Sequence, residues 1–525
     1  MTTPVRQTHG GDLAPDTGGT RTPGGSAGRR WGALAVLMLP VLLISIDNTV
    51  LTVALPQISL ELSASGTLLL WIVDIYSLVL AGLLVTMGTL GDRIGRRRIL
   101  LIGATGFVLV SVLAAFAPNG HALVAARALL GVFGATLMPA TLSLIRNIFE
   151  DRDERRLALA VWASCFGAGA ALGPMVAGVL LEHFHWGSVF LIAVPLLVPM
   201  LVLTPLLVPE SRDPNPGPVP VLDSALSVVA LSSLVYTIKH SMVSGLDAVT
   251  VVCGLLALGT GWVFVRRQLR GTTPMLDLRL FARPAFTGAV LANTLGVFSM
   301  LGFVYYASQH AQLVLGLTPL ETGVAMLPGM VTMVVSGLAV VPLVRHVAPF
   351  RVITVGLALA ALGHGLVALT GSGASAVLLA GLFALISIGS GATETLTNDA
   401  IISAVPASKA GAASAISETA YEIGAVLGTA VLGGILVSHY RTAVDVPAGL
   451  SPEQVHLAGE TLGGAVSVAA ELPARIGTEL LESAHRAFDS GIILTGSVAA
   501  VVMVAAAVMA HSLMRPRASA EARLD

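Results

Sequence analysis

The sequence predicts an all-α polytopic membrane protein with fourteen spanning helices. Of its 525 residues, 55% are hydrophobic and only 11% are charged, whereas a soluble domain carries about 25% charged residues. About 20 apolar residues cross a bilayer as a helix, and polar or Gly/Pro-rich breaks separate fourteen apolar segments of suitable length. The net charge of −1 gives no indication of nucleic-acid binding. We therefore expect the lipid bilayer to surround most of the chain.

Each predicted helix corresponds to one apolar segment. The fourteen segments cover residues 31–54, 67–89, 99–117, 121–144, 157–181, 188–208, 222–239, 248–267, 285–307, 319–342, 350–370, 376–399, 412–437 and 490–512. Residues 1–30, rich in Gly, Thr and Pro, and residues 513–525 are expected to be cytoplasmic tails, the first of them disordered. A Pro-rich linker at 209–221 and a long outer loop at 438–489, with some helical patterning, interrupt the series.

The distribution of basic residues predicts the orientation. Most of the 29 Lys and Arg residues fall in loops that would be cytoplasmic if the N-terminus is inside, as the positive-inside rule requires. An even helix count then places both termini in the cytoplasm, and a count wrong by one would destroy the bias. Arg127 lies within the fourth helix. Four basic residues are expected in outer segments, namely Lys239, Arg441, Arg475 and Arg486.

The loop between the second and third predicted helices reads Gly-Thr-Leu-Gly-Asp-Arg-Ile-Gly-Arg-Arg-Arg over residues 88–98. Its glycines permit close backbone approach and a tight turn, its aspartate is expected against a helix N-terminus, and its arginines on the inner membrane surface. Any inner loop tends to be basic, but this ordered pattern resembles the signature loop of the major facilitator superfamily. The residues expected to control conformation are Gly88, Gly91, Asp92, Arg93, Gly95 and Arg96.

The fifth predicted helix contains a second motif, formed by Gly169, Gly173, Pro174 and Gly178. Small residues four apart let helices pack closely, and Pro174 is expected to bend the helix. Ordinary small-residue packing is the simpler interpretation. The order G-x-x-x-G-P-x-x-[GA]-G resembles the antiporter motif of drug exporters, with Ala177 in place of a glycine. The motif favours export over uptake.

The first two helices carry Asp47, within Leu-Ile-Ser-Ile-Asp-Asn-Thr-Val, and Asp74, within Trp-Ile-Val-Asp-Ile-Tyr-Ser-Leu. These stretches resemble the corresponding helices of the fourteen-helix drug:proton antiporters, the Qac-type antiseptic and multidrug exporters. The resemblance runs through most of residues 31–437. It implies the major facilitator fold, with six-helix bundles at 31–208 and 285–512 and two inserted helices within 209–284. It also implies quaternary ammonium compounds, cationic dyes and similar amphipathic drugs as substrates.

The carboxylates and the arginine inside these helices are candidate functional residues, because ionisable groups within a membrane usually mark ion pathways. A buried arginine needs a carboxylate partner, and at ~1.5 Å per residue Asp47, Asp74 and Arg127 reach comparable depths. We expect Asp47 to pair with Arg127 and to couple transport to protons by reversible protonation. A static buried ion pair is the alternative.

Further candidates lie on the twelfth and thirteenth helices. Glu418 and Glu422 share a helix face, in a stretch that resembles the family's helix-13 motif, and either is expected to meet a drug cation or a proton. Tyr421 and Glu394 are further candidates for the substrate site, as is Asp74, whereas Asp399 is expected to be a solvated cap.

Aromatic and histidine side chains within the helices have less specific candidate roles. The aromatic residues considered for a drug pocket are Tyr76, Phe303, Tyr305, Tyr306 and Tyr421. Packing is the simpler interpretation for each of them singly, and His310 and His364 are expected to be structural. Met333 stands where the best-known Qac-type exporter has an acidic residue, which argues against divalent-cation substrates.

The resemblance predicts a proton-coupled exporter of lipophilic or cationic drugs in the bacterial plasma membrane, working as a monomer with no cofactor or metal. The sequence contains no G-x-x-x-x-G-K-[ST] motif of an ATP-driven pump, and no H-E-x-x-H motif of a zinc protease. An intramembrane enzyme is a competing class of protein, but no catalytic constellation in the sequence supports it. A channel would not need these buried charges. A dedicated exporter of an endogenous antibiotic or other secondary metabolite remains the alternative.

Overall fold

The computed structural model consists of helices and connecting turns throughout the residues that it describes. These are residues 27–212, 219–271, 274–371, 375–404 and 410–515. Within them, 13 helices are long and apolar enough to cross a membrane, and one bent helix, Leu157–Ala170 with Leu172–His183, brings the number to as many as 14. The expected tails, apart from a few residues next to the membrane, and most of the Pro-rich linker lie outside the described residues.

The first bundle contains six helices that pack around α1 and α4. They are α1 (Ala27–Glu61), α2 (Gly66–Ile94), α3 (Arg96–Ala115), α4 (Gly120–Ile148), α5 (Arg152–His183) and α6 (Ser188–Leu191 continuing as Ala193–Leu207). Polar caps set two of the starts, because the side chains of Ser65 and Asn119 accept hydrogen bonds from the first turns of α2 and α4. Helix α1 begins at Ala27, four residues earlier than predicted.

The inserted pair and the second bundle follow. They are α7 (Val221–Ser244), α8 (Ala248–Arg270), α9 (Pro284–Gln309, with a π-helical turn His310–Val314), α10 (Pro319–Leu343), α11 (Pro349–Thr370), α12 (Ala376–Ser403), α13 (Ala410–Leu427, a π-helical turn Gly428–Gly433, and Gly434–Ala443) and the last span, α16 (Ala474–Met514). The most apolar window of α1 and of α9 is 78% buried, against 11% for α7 and α8. The inserted pair is therefore peripheral.

The segment predicted as a long loop at 438–489 is largely helical. It contains α14 (Pro452–Glu460), α15 (Leu462–Glu471) and the first part of α16 (Ala474–Met514). The prediction that the last helix begins at 490 is wrong because charged residues after Ala474 hide an apolar stripe. Gly477, Leu480, Ala484 and Ala487 are buried at helical spacing.

The two ends of the molecule are distinct. We call the end that carries the loop at 88–98 the basic face, and the end that carries α14 and α15 the cap face. The bundles meet along α5 and α10, α2 and α13, and α1 and α9. In the half nearer the cap face, Gly178 lies against the backbone of Leu320, and Gly323 against that of Pro174. Glycine thus allows α5 and α10 to touch backbone to backbone.

Within the first bundle, α5 packs on α1 through the other glycines of its motif. Gly169 lies against Ser45, and Gly173 lies against Thr49 and the carbonyl of Ile46. The 41° bend in α5 falls between residues 170 and 172. Pro174 accounts for it, because a proline ring displaces the carbonyl four residues earlier. The predicted bend and close packing are confirmed.

Substitution of Gly173 by alanine should weaken the first bundle. The added methyl group would overlap Thr49, and overpacking of this kind costs about 1–3 kcal/mol. We expect a lower thermal midpoint of purified protein, measured by fluorescence-detected gel filtration after heating. The matched control is Gly381→Ala in α12, where a methyl group meets open space. Equal midpoints for the two variants would contradict the packing argument.

Candidate functional site

A buried ion pair joins α1 to α4 in the first bundle. The Nη1 of Arg127 lies 2.7 Å from Oδ2 of Asp47, and both side chains are almost wholly buried. The Nε of Arg127 donates to the carbonyl of Ile72 in α2 at 3.2 Å, and its guanidinium lies 4.4 Å from the ring centroid of Tyr76. The predicted partner of Arg127 is confirmed, whereas a part in proton coupling stays a prediction.

A second buried ion pair, which the sequence did not predict, joins α2 to the inserted helix α7. The Nζ of Lys239 lies 2.8 Å from Oδ2 of Asp74, and each side chain is 1% exposed. Thr429, in the π-helical turn of α13, donates a hydrogen bond to the same carboxylate. The Nζ also lies 4.5 Å from the ring of Trp71. Asp74, predicted as a substrate ligand, is therefore already paired with a cation.

The prediction that Lys239 lies in an outer segment is wrong. The apolar segment was expected to end there because Lys239 and His240 interrupt it, but α7 continues to Ser244. The four-carbon stem of a lysine packs like an apolar side chain when its charge finds a partner. The signal available in the sequence was that apolar residues resume at Met242 and Val243.

A small cavity lies between the bundles, beside both ion pairs. It is lined by Asn48, Leu51, Thr52, Val73, Asp74, Ser77, Arg127, Leu301, Tyr421, Glu422, Ala425, Val426 and Thr429. Its volume of about 30 Å³ suffices for a water molecule but is far below the about 300–1,000 Å³ of a typical small-molecule pocket. An organic substrate can therefore enter only after the bundles separate.

Glu422 brings an unpaired carboxylate to this cavity. It is buried and accepts a hydrogen bond from Ser77, but its Oε2 has no partner among the described residues. None of the ion pairs between described residues includes Glu422, so its carboxylate lacks a cationic partner. Asp47 and Asp74 each face a basic side chain across the same cavity region. Glu422 is thus the carboxylate of this site that is left to meet a cation or a proton.

The other predicted substrate residues are divided between two places. Tyr421 lines the cavity, and its ring packs against Phe166 of α5 with the centroids 6.2 Å apart. Glu394 instead faces a narrow crevice in the second bundle. Glu418, one turn before Glu422, is not among the residues that line the cavity. Glu418 nevertheless lies close enough to both Glu394 and Glu422 for their charges to interact.

Asp399 lies where a solvated cap was expected. Its side chain is exposed near the end of α12 at the basic face, where the hydroxyl of Ser403 donates to it at 3.4 Å. It therefore makes no contact with the cavity.

Most of the aromatic side chains considered for a drug pocket are packed inside the bundles. Four of these side chains are each at most 1% exposed, namely those of Tyr76, Phe303, Tyr305 and Tyr306. His364 is buried beside them, with its Nε2 2.8 Å from the hydroxyl of Ser299. His310 is also buried, 3.4 Å from the carboxylate of Asp489. These contacts fit the structural parts expected for the two histidines.

The segment 88–98, predicted as a loop, is helical except for Gly95, because α2 continues to Ile94 and α3 begins at Arg96. It fastens α2 and α3 to the end of α6. The carboxylate of Asp92 lies 2.7 Å from the guanidinium of Arg96. The backbone N–H of Arg97, in the first turn of α3, donates instead to Glu210 at 3.0 Å. The carboxylate at this helix N-terminus is thus Glu210 and not, as predicted, Asp92. Sequence reasoning missed Glu210 because it lies in the distant linker.

The glycines of the segment 88–98 have different structural roles. Gly95 has a φ of +114°, which L-residues rarely adopt, and a Cβ there would crowd the carboxylate of Glu210. Gly91 lies against α3 and Gly88 faces α4. Arg93 is exposed at the basic face, as expected of a residue that meets the membrane surface.

Two six-helix bundles that enclose buried charges at their junction define a multi-pass membrane transporter. Residues 37–429 match the Major Facilitator Superfamily, and the chain belongs to this family. The membership confirms the fold class that the motifs predicted.

Individual relatives cover nearly the whole chain. The multidrug efflux pump LfrA of Mycolicibacterium smegmatis is 55% identical over 93% of this chain and 96% of its own length. The methyl viologen resistance protein SmvA of Salmonella typhimurium is 40% identical over 88% and 93%. Among solved structures, a bacterial homologue of the human lysosomal transporter Spinster superposes with a TM-score of 0.69 at 17% identity, covering 93% of this chain and 98% of its own.

Removal of one partner of the Asp47–Arg127 pair should cost more stability than removal of both. A single Asp47→Asn or Arg127→Met change leaves a buried charge without a counterion, which costs about 3–5 kcal/mol. The double variant leaves neither charge and should recover most of that loss. Thermal midpoints in detergent, with exposed Arg270→Met as the control, measure the difference. A double variant less stable than both single variants would contradict the buried-pair interpretation.

Proposed function

We propose that this protein exports lipophilic organic cations across the bacterial plasma membrane in exchange for protons. The observation that carries the proposal is the unpaired carboxylate of Glu422 in the cavity between the bundles, beside two compensated acidic residues. The 55% identity of the chain to a multidrug efflux pump supports drugs as the class of substrate.

Exchange follows from competition for one negative charge. A buried carboxylate without a partner is unstable in a medium of low polarity, so it takes up a proton or contacts a cationic ligand. Glu422 cannot do both at once. When the cavity opens to the side of high proton concentration, protonation releases the cation, and when it opens to the other side, a cation displaces the proton.

The Asp47–Arg127 pair is positioned to sense which ligand is present. Arg127 lines the cavity with Glu422, so the two carboxylates Asp47 and Glu422 attract the same guanidinium. When Asp47 and not Glu422 takes up the proton, Arg127 is freed to pair with the charged Glu422 and to expel a bound cation, so protonation of either carboxylate empties the site. We propose this exchange of partners as the coupling step, with no cofactor beyond the proton gradient.

The basic face is proposed to lie in the cytoplasm and the cap face outside. Arginine clusters at the basic face support this orientation, because basic residues are enriched in cytoplasmic loops. Both bundles and the cavity between them belong to one chain, which supports a monomer as the working unit. Both termini would then be cytoplasmic.

Ethidium efflux from a pump-deficient bacterium tests the function. We expect efflux that a protonophore abolishes, and we expect Glu422→Gln and Asp47→Asn each to slow it by about tenfold or more, since each removes a carboxylate from the exchange. Asp399→Asn, which changes an exposed carboxylate of the same chain, should retain the rate.

Each other outcome has a definite meaning. Efflux that persists without the proton gradient would refute proton exchange. No efflux of ethidium or of other cationic drugs, from protein shown to be inserted in the membrane, would reject the multidrug proposal and favour a dedicated metabolite exporter. Efflux that survives Glu422→Gln would move the site to Glu418 or Glu394.

Cysteine labelling tests the orientation. In a variant in which Cys165 and Cys253 are replaced by serine, Glu453→Cys on α14 should react with a membrane-impermeant maleimide in intact cells. Arg270→Cys at the end of α8 should react only after permeabilisation, because both side chains are exposed but on opposite faces. The reverse pattern would invert the proposed topology.

A further inference from the structure

The surroundings of Asp74 are those of a binding site for an organic cation. The carboxylate of Asp74, to which the hydroxyl of Thr429 donates, and the face of Trp71 meet one ammonium group at the junction of α2, α7 and α13. Aromatic faces and carboxylates together are what bind ammonium ligands. In this structure the position of the cation is taken by the ammonium group of Lys239.

The choice of lysine here is unusual for this chain. Only two of its 29 basic residues are lysines, Lys239 and Lys409. An arginine would bind a carboxylate through two parallel hydrogen bonds, whereas a lysine is a compact point charge on a flexible stem. The Nζ of Lys239 meets the carboxylate of Asp74 through a single contact of 2.8 Å and not through a bidentate pair. The contact is therefore one that a competing cation can replace.

Lys239 is buried although most of the helix that carries it is not. Helix α7 is largely exposed on the outside of the molecule, yet Lys239 is 1% exposed and contacts Asp74, which lines the cavity between the bundles. Lys239 lies five residues before the end of α7 at Ser244, or about 7.5 Å along the axis. A released lysine side chain can therefore extend to the aqueous boundary at the cap face.

We propose that Lys239 is a built-in competitor of the substrate, which occupies Asp74 until an organic cation displaces it. The proposal rests on the proposed function and names the inserted helix α7 as the element that sets the selectivity of this site. Asp74 then accepts a monovalent organic cation only at the cost of breaking the ion pair. Substrate and Lys239 compete for the carboxylate of Asp74, so Lys239 is free whenever substrate is bound there.

The reactivity of the lysine itself tests this in the unmodified protein. Protein in lipid nanodiscs is pulsed with acetic anhydride, with and without tetraphenylphosphonium, and acetylation of Lys239 is measured by mass spectrometry against Lys409 as the internal reference. We expect tetraphenylphosphonium to raise the acetylation rate of Lys239 about tenfold, as displacement worth about 1.4 kcal/mol would produce. In Asp74→Asn, Lys239 should react quickly without the ligand, and the ligand should add nothing.

Binding to variants provides a second measurement. Lys239→Gln keeps a hydrogen-bond donor beside Asp74 but removes the competing charge, so tetraphenylphosphonium should bind about tenfold more tightly. Lys239→Arg should bind it no more tightly than the unmodified protein, and Lys239→Gln combined with Asp74→Asn should lose the gain. Thermal midpoints identify any variant that is unfolded, in which case the labelling result decides.

The outcomes separate this inference from the proposed function. Acetylation that the ligand leaves unchanged or slows, or a folded Lys239→Gln variant with unaltered affinity, would overturn the inference and leave a purely structural ion pair. If ethidium efflux is nevertheless driven by protons, the proposed function survives alone. If efflux fails but tetraphenylphosphonium releases Lys239, the cation site stands without the export function.

Discussion

A charged side chain inside a membrane protein is stable only beside a partner of opposite charge, and two such pairs organise this structure. The pair of Asp47 and Arg127 ties α1 to α4 and, through a backbone carbonyl, to α2. The pair of Asp74 and Lys239 ties α2 to α7. Because both pairs adjoin the cavity between the bundles, any opening of that cavity brings solvent or substrate to charges that also hold the helices in register.

Small residues provide the complementary constraint. Lipid does not drive helices together as water does, so close backbone packing has to supply the attraction. Helix α5 uses glycines in both directions, towards α1 inside its own bundle and towards α10 in the other bundle. Movement between the bundles must break the second contact while the first is retained. The motif of Gly169, Gly173, Pro174 and Gly178 thus lies on the boundary that has to separate when the cavity opens.

The fold could be predicted closely from the sequence, and the site only in part. Each predicted helix corresponds to an observed one, because apolar length is read along the chain. Depth in the membrane left Asp47 and Asp74 as possible partners of Arg127, and the expected one, Asp47, is the observed partner. Two other contacts could not be predicted from the sequence. Glu210, which caps the start of α3, and Lys239, which pairs with Asp74, come from distant segments that were predicted to be a linker and an outer segment. The early start of α16 was hidden by charges on its exposed side.

The sequence by itself determined the apolar segments that become helices, the family and the short list of buried charges, because hydropathy and motifs are local properties of the chain. Only the tertiary structure decided how those charges combine. It left Glu422 unpaired at the cavity, placed Glu394 in a separate crevice and paired Asp74 with a lysine from the inserted helices. Pairing depends on the rotation and neighbours of each helix, which packing fixes and which no residue spacing along one helix reveals.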